Sequence, residues 1–223
     1  MYVGIFHSLI VPVTVYHVDI PDDTMSMRTM IDEQSDACFV TTIHVLQTLN
    51  VPSYPIEVKL LTVLGEEIIQ CRKASGLIVK GTNESVEIPL PGCYFRHNIP
   101  AKESQIPRLD IITKWRHLSK LAGRLSSYDD TLRIELLIGI NCVHATKPRE
   151  VINGGKDEPY TVRTTLGSDV IGNTCTSHTG KTKDTCQFAY WTQVNEVSPA
   201  EVSKLFNCCF DAILGDKTLF QDK

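Results

Sequence analysis

The feature that most limits what this chain can fold into is the run LRIELLI at residues 132–138. Five of its seven residues are apolar, and it leads directly into Gly139. A strand with one solvated face alternates apolar and polar residues, whereas a nearly continuous apolar strand is buried on both faces. The chain must therefore pack a layer against each side of this strand. Gly139 at its end permits a close backbone approach that a side chain would block.

A second apolar run ends in a carboxylate. Residues 25–31 are predicted to form a strand that leads into Asp32, and the polar residues Glu33, Gln34 and Ser35 follow before the apolar CFVTT resumes. A strand that breaks into a polar loop and then resumes can present a carboxylate at a functional site. An ordinary β-turn with a solvated aspartate has the same pattern. The residues of this loop alone leave both interpretations open.

Most of the remaining pattern is typical of strands. Val11, Val13 and Val15 alternate with less apolar neighbours, which predicts a strand. Two β-rich arms flank Gly65 and predict a hairpin. Further strands are predicted at residues 77–79, in the segment SVEIPLPGCYF, and in EPYTVRTTLGSDVIG, which ends at Gly172. The near absence of long helices favours a small barrel or sandwich.

Apolar residues at helical spacing predict two short helices within this β-rich part of the chain. One covers residues 43–49 and is stopped by Asn50 and Pro52. The other runs from residue 112 to residue 121 and ends near Gly123.

The domain organisation follows from where the strand patterns stop. Residues 1–172 are predicted to form one mostly-β domain, and residues 173–223 a polar linker followed by a helical tail. The tail helix is predicted to begin at Ser198, with Pro199 in its first position and Glu201 in its first turn.

Composition excludes some function classes. The formal net charge is −4, and a nucleic-acid-binding module needs clustered lysine and arginine to contact phosphates. The apolar N-terminus lacks a basic region and a small-residue cleavage site, so it is predicted to be a strand and not a signal peptide. No apolar run reaches the roughly 18 residues that a membrane span needs. We therefore expect neither nucleic acid nor membrane as a partner.

Eight cysteines raise the question of disulfides or a metal. Most of them lie inside apolar runs, where a reduced cysteine packs as a small hydrophobic residue, so we expect reduced thiols and a cytoplasmic location. Cys175, His178 and Cys186 offer three ligands at no standard zinc spacing, so they are interpreted as part of a polar loop. We expect no metal and no cofactor.

Catalysis by Asp32 would need a second carboxylate. Two carboxylates about 3 Å apart share one proton and titrate as a coupled pair, so that one activates water while the other protonates a carbonyl oxygen. The chain contains one loop in which an aspartate follows an apolar strand and precedes a polar segment that returns to an apolar one. A dyad would therefore take its second Asp32 from a second subunit.

The motifs at these two strand ends carry a resemblance. TMIDEQSD and ELLIGIN, together with VKLLTVLGEE, SGLIVKG, IPLPGCYFRHNIP and PREVINGGKDEPYTVRTTLGSDVIG, resemble the retropepsin-like aspartic protease domain of BEL/Pao-type LTR retrotransposon polyproteins. The resemblance covers about residues 8–172 and implies an acid-protease half-barrel with insertions. The tail VNEVSPAEVSKLFNCCFDAIL is similar to the segment that joins such a protease to the reverse transcriptase, which makes the chain look like a fragment or a host-captured remnant.

The resemblance assigns roles to particular residues. Asp32 matches the catalytic aspartate, and Glu33, Gln34 and Ser35 occupy the rest of its loop. The element that packs beneath this loop matches Leu137, Ile138 and Gly139. The flap, a hairpin that closes over substrate, is assigned to Leu64, Gly65 and Glu66.

Two positions depart from the family pattern. Glu33 stands where the family has threonine or serine, and Gln34 stands where it has glycine. A homodimer would then hold up to four carboxylates near its axis, and like charges raise the pKa values of a dyad.

Two functions follow from these assignments. The first is a homodimeric aspartic endopeptidase that cleaves an extended peptide of a retroelement polyprotein. The second is an inactive remnant that serves as a dimerising or peptide-binding module.

Overall fold

The structure is a computed structural model that describes residues 6–62, 65–119, 123–125, 128–174 and 192–196. Strands predominate in this part of the chain, which confirms the mostly-β prediction. The strands are β1 (Phe6–His7), β2 (Ile10–His17), β3 (Ile20–Asp32), β4 (Cys38–Thr41), β5 (Ser53–Thr62), β6 (Gly65–Ala74), β7 (Leu77–Gly81), β8 (Glu87–Pro89), β9 (Cys93–Arg96), β10 (Ile134–Gly139), β11 (Glu150–Ile152), β12 (Tyr160–Thr164), β13 (Gly167–Asn173) and β14 (Thr192–Glu196).

The described helices are short. They are α1 (Thr42–Leu49), α2 (Leu109–Ile112), α3 (Arg116–Ser119) and α4 (Val143–Thr146), with a 3-10 turn at Glu103–Gln105. Helix α1 confirms the helix predicted over residues 43–49, and it ends at Asn50, which adopts a left-handed conformation with φ of 43°. None of the helices in the described ranges is long and apolar enough to span a bilayer.

The strands form two sheets. The larger has ten strands in the order β14-β5-β6-β9-β4-β10-β3-β2-β7-β8, and the smaller has four in the order β1-β13-β12-β11. Most neighbours are antiparallel, but β10 runs parallel to β3 and β4 runs parallel to β9. These parallel pairs lie side by side at the centre of the large sheet. Because β4 is antiparallel to β10, the two pairs run in opposite directions, and β3 and β10 end at the edge where β4 and β9 begin.

Strand β10 is buried on both faces, as its composition predicts. Leu136 and Ile138 are fully buried in the main apolar core, which also takes Val11, Val13 and Val15 from β2. Leu137, 3% exposed, points the other way into a second cluster with Phe39 and Leu60. Burying each such side chain contributes about 1.5–3 kcal/mol to the free energy of unfolding, so β10 stabilises the apolar clusters on both of its faces.

Two predicted elements differ from the structure. The helix predicted from residue 112 to residue 121 is wrong in extent, because α2 and α3 are separate four-residue helices. The predicted apolar face is confirmed, since Ile112 and Leu118 pack in one small cluster with Val170. The strand predicted in the segment that ends at Gly172 is a hairpin, in which β12 and β13 pair antiparallel around the turn at residues 165–166.

The C-terminal segment contains a strand that the sequence does not predict. The strand patterns place residues 192–196 in the linker and tail, but these residues form β14, which pairs antiparallel with β5 from Thr192↔Thr62 to Glu196↔Val58. The helix predicted from Ser198 and the polar loop with Cys175, His178 and Cys186 lie outside the described residues. The four described cysteines, Cys38, Cys71, Cys93 and Cys142, are free thiols.

Candidate functional site

The two motifs that the sequence singles out meet at one edge of the large sheet. Strands β3 and β10 are parallel neighbours, and their register pairs Ile31 with Ile138 and Asp32 with Gly139. Because parallel strands end at the same edge, the loop after Asp32 and the turn after Gly139 leave the sheet together. Residues more than a hundred positions apart in the chain are thereby brought into contact.

Gly139 lets the Asp32 loop pass directly over the end of β10. A Cβ atom at residue 139 would lie 2.6 Å from the carbonyl oxygen of Ser35, and closer still to that of Ala37. The backbone N–H of Ile140 donates a hydrogen bond of 2.7 Å to the same Ser35 oxygen. A side chain at residue 139 would separate these two segments, so glycine is required here by close approach.

Ser35 braces the loop from inside. Its side chain is 1% exposed, and its hydroxyl donates a hydrogen bond of 2.9 Å to the carbonyl of Ala37. The same oxygen lies 3.4 Å from the Ala37 backbone N–H, which donates to it. The Ser35 hydroxyl therefore points into the loop, where both of its hydrogen bonds are made with the backbone of Ala37. Leu137, two positions before Gly139 in β10, packs in the same apolar cluster as Ala37 of the loop.

Asp32 faces outward from this rigid base. One carboxylate oxygen accepts a hydrogen bond of 2.9 Å from the backbone N–H of Gln34. Partial burial raises the pKa of Asp32 above its ordinary value; the Gln34 N–H opposes this shift, and the neighbouring Glu33 carboxylate adds to it. The side chains of Glu33 and Gln34 are exposed. Asp32 is thus held in one orientation and favours its protonated form more than a solvated aspartate does.

A cavity of about 580 Å³ opens in front of Asp32. Phe39 and Leu137 form its apolar floor, and Thr62, Gly65 and Glu66 contribute from the hairpin across the opening. This volume falls in the range of roughly 300–1,000 Å³ that is typical of ligand sites. A site in which an oriented carboxylate lies beside an apolar floor suits a molecule that buries an apolar group beside a polar bond.

The hairpin over the cavity is the one predicted around Gly65. Strands β5 and β6 pair along their whole length, from Ser53↔Ala74 to Thr62↔Gly65. Gly65 has a φ of 137°, which side chains rarely adopt. Glu66 forms an ion pair with Lys59 on the neighbouring strand. Gly65 and Glu66 therefore lie at the tip of the hairpin, whereas Leu64, the third residue assigned to the flap, lies outside the described residues.

Sequence reasoning missed four polar residues that line the cavity, Thr62, Glu67, Arg96 and Asn98. The guanidinium of Arg96 lies 6.0 Å from the ring centroid of Phe39 on the cavity floor. Arg96 ends a buried apolar strand as Asp32 does, but β9 runs antiparallel to β3, so the two strand ends lie at opposite edges of the sheet and no local sequence pattern links them.

A comparison with protein-family models, curated proteins and solved structures gives no match. Within the described ranges, no group of three or more histidine, cysteine, aspartate or glutamate side chains is arranged to hold a metal ion.

Proposed function

We propose that this chain is an aspartic endopeptidase that acts as a homodimer, with Asp32 of each subunit forming the catalytic dyad. The observation that carries the proposal is the register of Asp32 against Gly139 at the ends of two parallel strands, beneath a cavity covered by a hairpin. A retroelement polyprotein is the substrate that the resemblance implies. The finer fold, an acid-protease half-barrel, belongs to the same proposal.

The chemistry follows from how the carboxylate is held. In a symmetric pair, two Asp32 carboxyl groups share one proton, and the raised pKa of each isolated carboxyl favours that state. The ionised member removes a proton from a water molecule, which attacks the peptide carbonyl carbon. The protonated member donates its proton to the carbonyl oxygen, giving a tetrahedral intermediate. As the C–N bond breaks, the carboxyl that took the water proton gives it to the leaving nitrogen, and the other carboxylate takes back a proton from the hydroxyl of the intermediate, so that an amine and a carboxylic acid are released.

The proposal is tested by peptide cleavage with the purified full chain, at several protein concentrations and at pH 3.5–7. We expect the specific activity to rise with protein concentration, because a dyad forms only in the dimer. Asp32→Asn abolishes activity, while Asp22→Asn, which removes an exposed carboxylate from the other end of β3, leaves it unchanged.

Mixing experiments test whether the dyad spans two subunits. An excess of folded Asp32→Asn chain should suppress wild-type activity, because each mixed dimer lacks one of its two aspartates. Activity that is unaffected by this excess would contradict a shared dyad. A folded, dimeric wild-type chain that cleaves no peptide in a broad library would overturn the enzyme function.

The second candidate function is a non-catalytic peptide-binding or dimerising module. It is favoured by the exposed Glu33 beside Asp32, which adds a negative charge next to the carboxylate. This function predicts peptide binding that Asp32→Asn does not weaken, with no cleavage at any pH.

A further inference from the structure

Strand β14 joins the hairpin to the Asp32 loop. It pairs with the edge of β5 that faces away from β6, through five residues from Thr192 to Glu196. From the middle of this strand, the backbone N–H of Val194 donates a hydrogen bond of 2.9 Å to the side-chain carboxylate of Asp36. Asp36 lies four positions after Asp32 in the same loop. A segment of the chain's own C-terminal part therefore lies in extended form between the hairpin and the loop.

The position of β14 is continuous with the cavity. Val194 pairs with Leu60 and Thr192 pairs with Thr62, and both of these β5 residues also line the cavity that holds Asp32. The Val194 side chain is partly buried against the apolar cluster that contains Leu137. The outer edge of β5, which faces β14, therefore continues from the cavity at Thr62 along the strand past the Leu60–Val194 pair.

Glu196, the last residue of β14, binds in a site made by other strands. One of its carboxylate oxygens accepts a hydrogen bond of 2.8 Å from the hydroxyl of Tyr94 on β9 and a charge-assisted bond from Lys73 on β6. The Lys73 ammonium also lies 5.3 Å from the centroid of the Tyr94 ring. Both bonds lower the pKa of Glu196, and the bond from Lys73 has the larger effect.

The two donors are held in place by their own surroundings. Tyr94 is 8% exposed and belongs to the apolar cluster beneath β14. The Lys73 side chain lies across Gly92, where a Cβ atom would overlap its terminal methylene. The carboxylate site is therefore built by β6, β9 and the turn before β9, with Glu196 as its occupant.

The sequence of β14 does little to form a strand on its own. Its five residues, TQVNE, include one apolar side chain, and Asn195 and Glu196 are exposed. Its extended form is imposed by the β5 edge, by Asp36 and by the carboxylate site. Addition of a strand to an open sheet edge is a common mode of peptide recognition, in which main-chain bonds give affinity and side-chain pockets give specificity.

We propose that the β5 edge is a binding site for extended peptides, that β14 occupies it in cis, and that it selects an apolar residue followed two positions later by a glutamate or aspartate. Lys73 and Tyr94 are the specificity-determining residues for the acidic side chain. The partner class is an unstructured polypeptide segment with this apolar-x-acidic pattern. As a description of substrate selection the proposal rests on the endopeptidase function, but the binding itself requires no catalysis.

The test measures binding in a full-length chain that carries Asp32→Asn, so that no peptide is cut. The probe is a fluorescent peptide with the sequence TQVNE and blocked ends, and its affinity is followed by fluorescence anisotropy. Glu196→Gln weakens the cis strand and should tighten peptide binding about five- to tenfold. Asn195→Gln changes an exposed side chain of the same strand and should leave the affinity unchanged.

A second pair of measurements tests the selectivity. The Glu196→Gln chain should bind TQVNE about five- to tenfold more tightly than TQVNQ. Tyr94→Phe, which keeps the buried ring, should lower this preference, and adding Lys73→Met should remove it. Equal affinity for the two peptides, or no gain from Glu196→Gln over Asn195→Gln, would overturn the proposal.

The outcomes separate this proposal from the enzyme function. Cleavage by the wild-type chain without the expected gain in peptide binding would remove the cis-occupied site and leave the endopeptidase. Selective binding without cleavage at any pH would support the site and remove the endopeptidase.

Discussion

The loop after β3 and the hairpin opposite it face the same cavity, but they are held in different ways. The loop is anchored by the buried residues Ser35 and Ala37, whose carbonyl oxygens lie against Gly139. The hairpin extends into solvent, and only Val58, Leu60 and Ala74 of its two strands are buried. The Asp32 carboxylate is thus held by close backbone packing, whereas the β5–β6 hairpin above it is held by contacts at its strand edges and opens at a lower free-energy cost. Reactive groups need such a fixed base, and entry of a long molecule needs such a cover.

The largest test of this contrast is Gly139→Ala. The added methyl group would overlap the Ser35 and Ala37 carbonyls, so we expect a loss of about 3 kcal/mol in the free energy of unfolding. Urea denaturation measures it. Gly123→Ala is the matched control, because an added Cβ there meets nothing within 4 Å. A loss below about 0.5 kcal/mol at residue 139 would mean that the loop is not fixed by close approach.

Ser35→Ala is expected to cost less, about 1–2 kcal/mol. It leaves the buried carbonyl of Ala37 without the hydroxyl that donates to it. The comparison within the hairpin is Ser53→Ala, which removes an exposed hydroxyl that accepts a hydrogen bond from Arg72 and should cost under about 0.5 kcal/mol. Thermal unfolding measures both losses in the free energy of unfolding. Equal losses would contradict the claim that the loop is held more firmly than the hairpin.

Asp32→Asn should change stability in the opposite direction, and the effect should depend on pH. The folded-state pKa of Asp32 is raised, so its contribution to stability is fully present below the unfolded-state pKa and is lost as the pH rises through the folded-state pKa. The asparagine variant has no such loss, and its amide oxygen can still accept the Gln34 N–H. We expect the variant to be more stable by about 0.5–1 kcal/mol at pH 7, with the gain shrinking toward pH 4.

Urea titrations at pH 4, 5.5 and 7, at protein concentrations where the chain is monomeric, measure this gain. A gain that grows as the pH falls would contradict the assigned direction of the Asp32 pKa.

The smallest effect is expected at the hairpin tip. The Lys59–Glu66 ion pair is 2.5 Å long, but the two side chains are 39% and 59% exposed. Exposed pairs contribute little, so Lys59→Ala should cost under about 0.5 kcal/mol, and the difference should disappear at 1 M salt. Thermal unfolding at low and high salt measures it. A cost near that of Ser35→Ala would show that the cover is held as firmly as the loop.

The part of the site that was predictable from sequence is the part made by strand ends. The run into Gly139 predicts a strand buried on both faces, and Leu136 and Leu137 do lie in opposite clusters. The polar loop after Asp32 predicts either a presented carboxylate or a simple turn. What separates the two is the parallel register of β3 and β10, which is a long-range pairing that local patterns do not encode.

The elements that sequence reasoning missed depend on contacts with distant residues. Strand β14 has one apolar side chain, and its extended form comes from the β5 edge and from Asp36. The helix predicted from residue 112 keeps its apolar face but breaks after Ile112, where tertiary packing of Trp115 and Leu118 replaces helical continuity. Propensity is a weak guide wherever such packing decides the backbone.

The tether of β14 sets a threshold for any competitor. A strand covalently attached to its own groove is present at an effective concentration on the order of millimolar, whatever the concentration of the chain. A free peptide that makes only the contacts of β14 must reach that level to displace it. A polypeptide that also fills the cavity beside Asp32 gains affinity that β14 lacks, and it can win at far lower concentration. The chain would thus bind long extended segments in preference to short peptides, because only a long segment fills the cavity as well as the β5 edge.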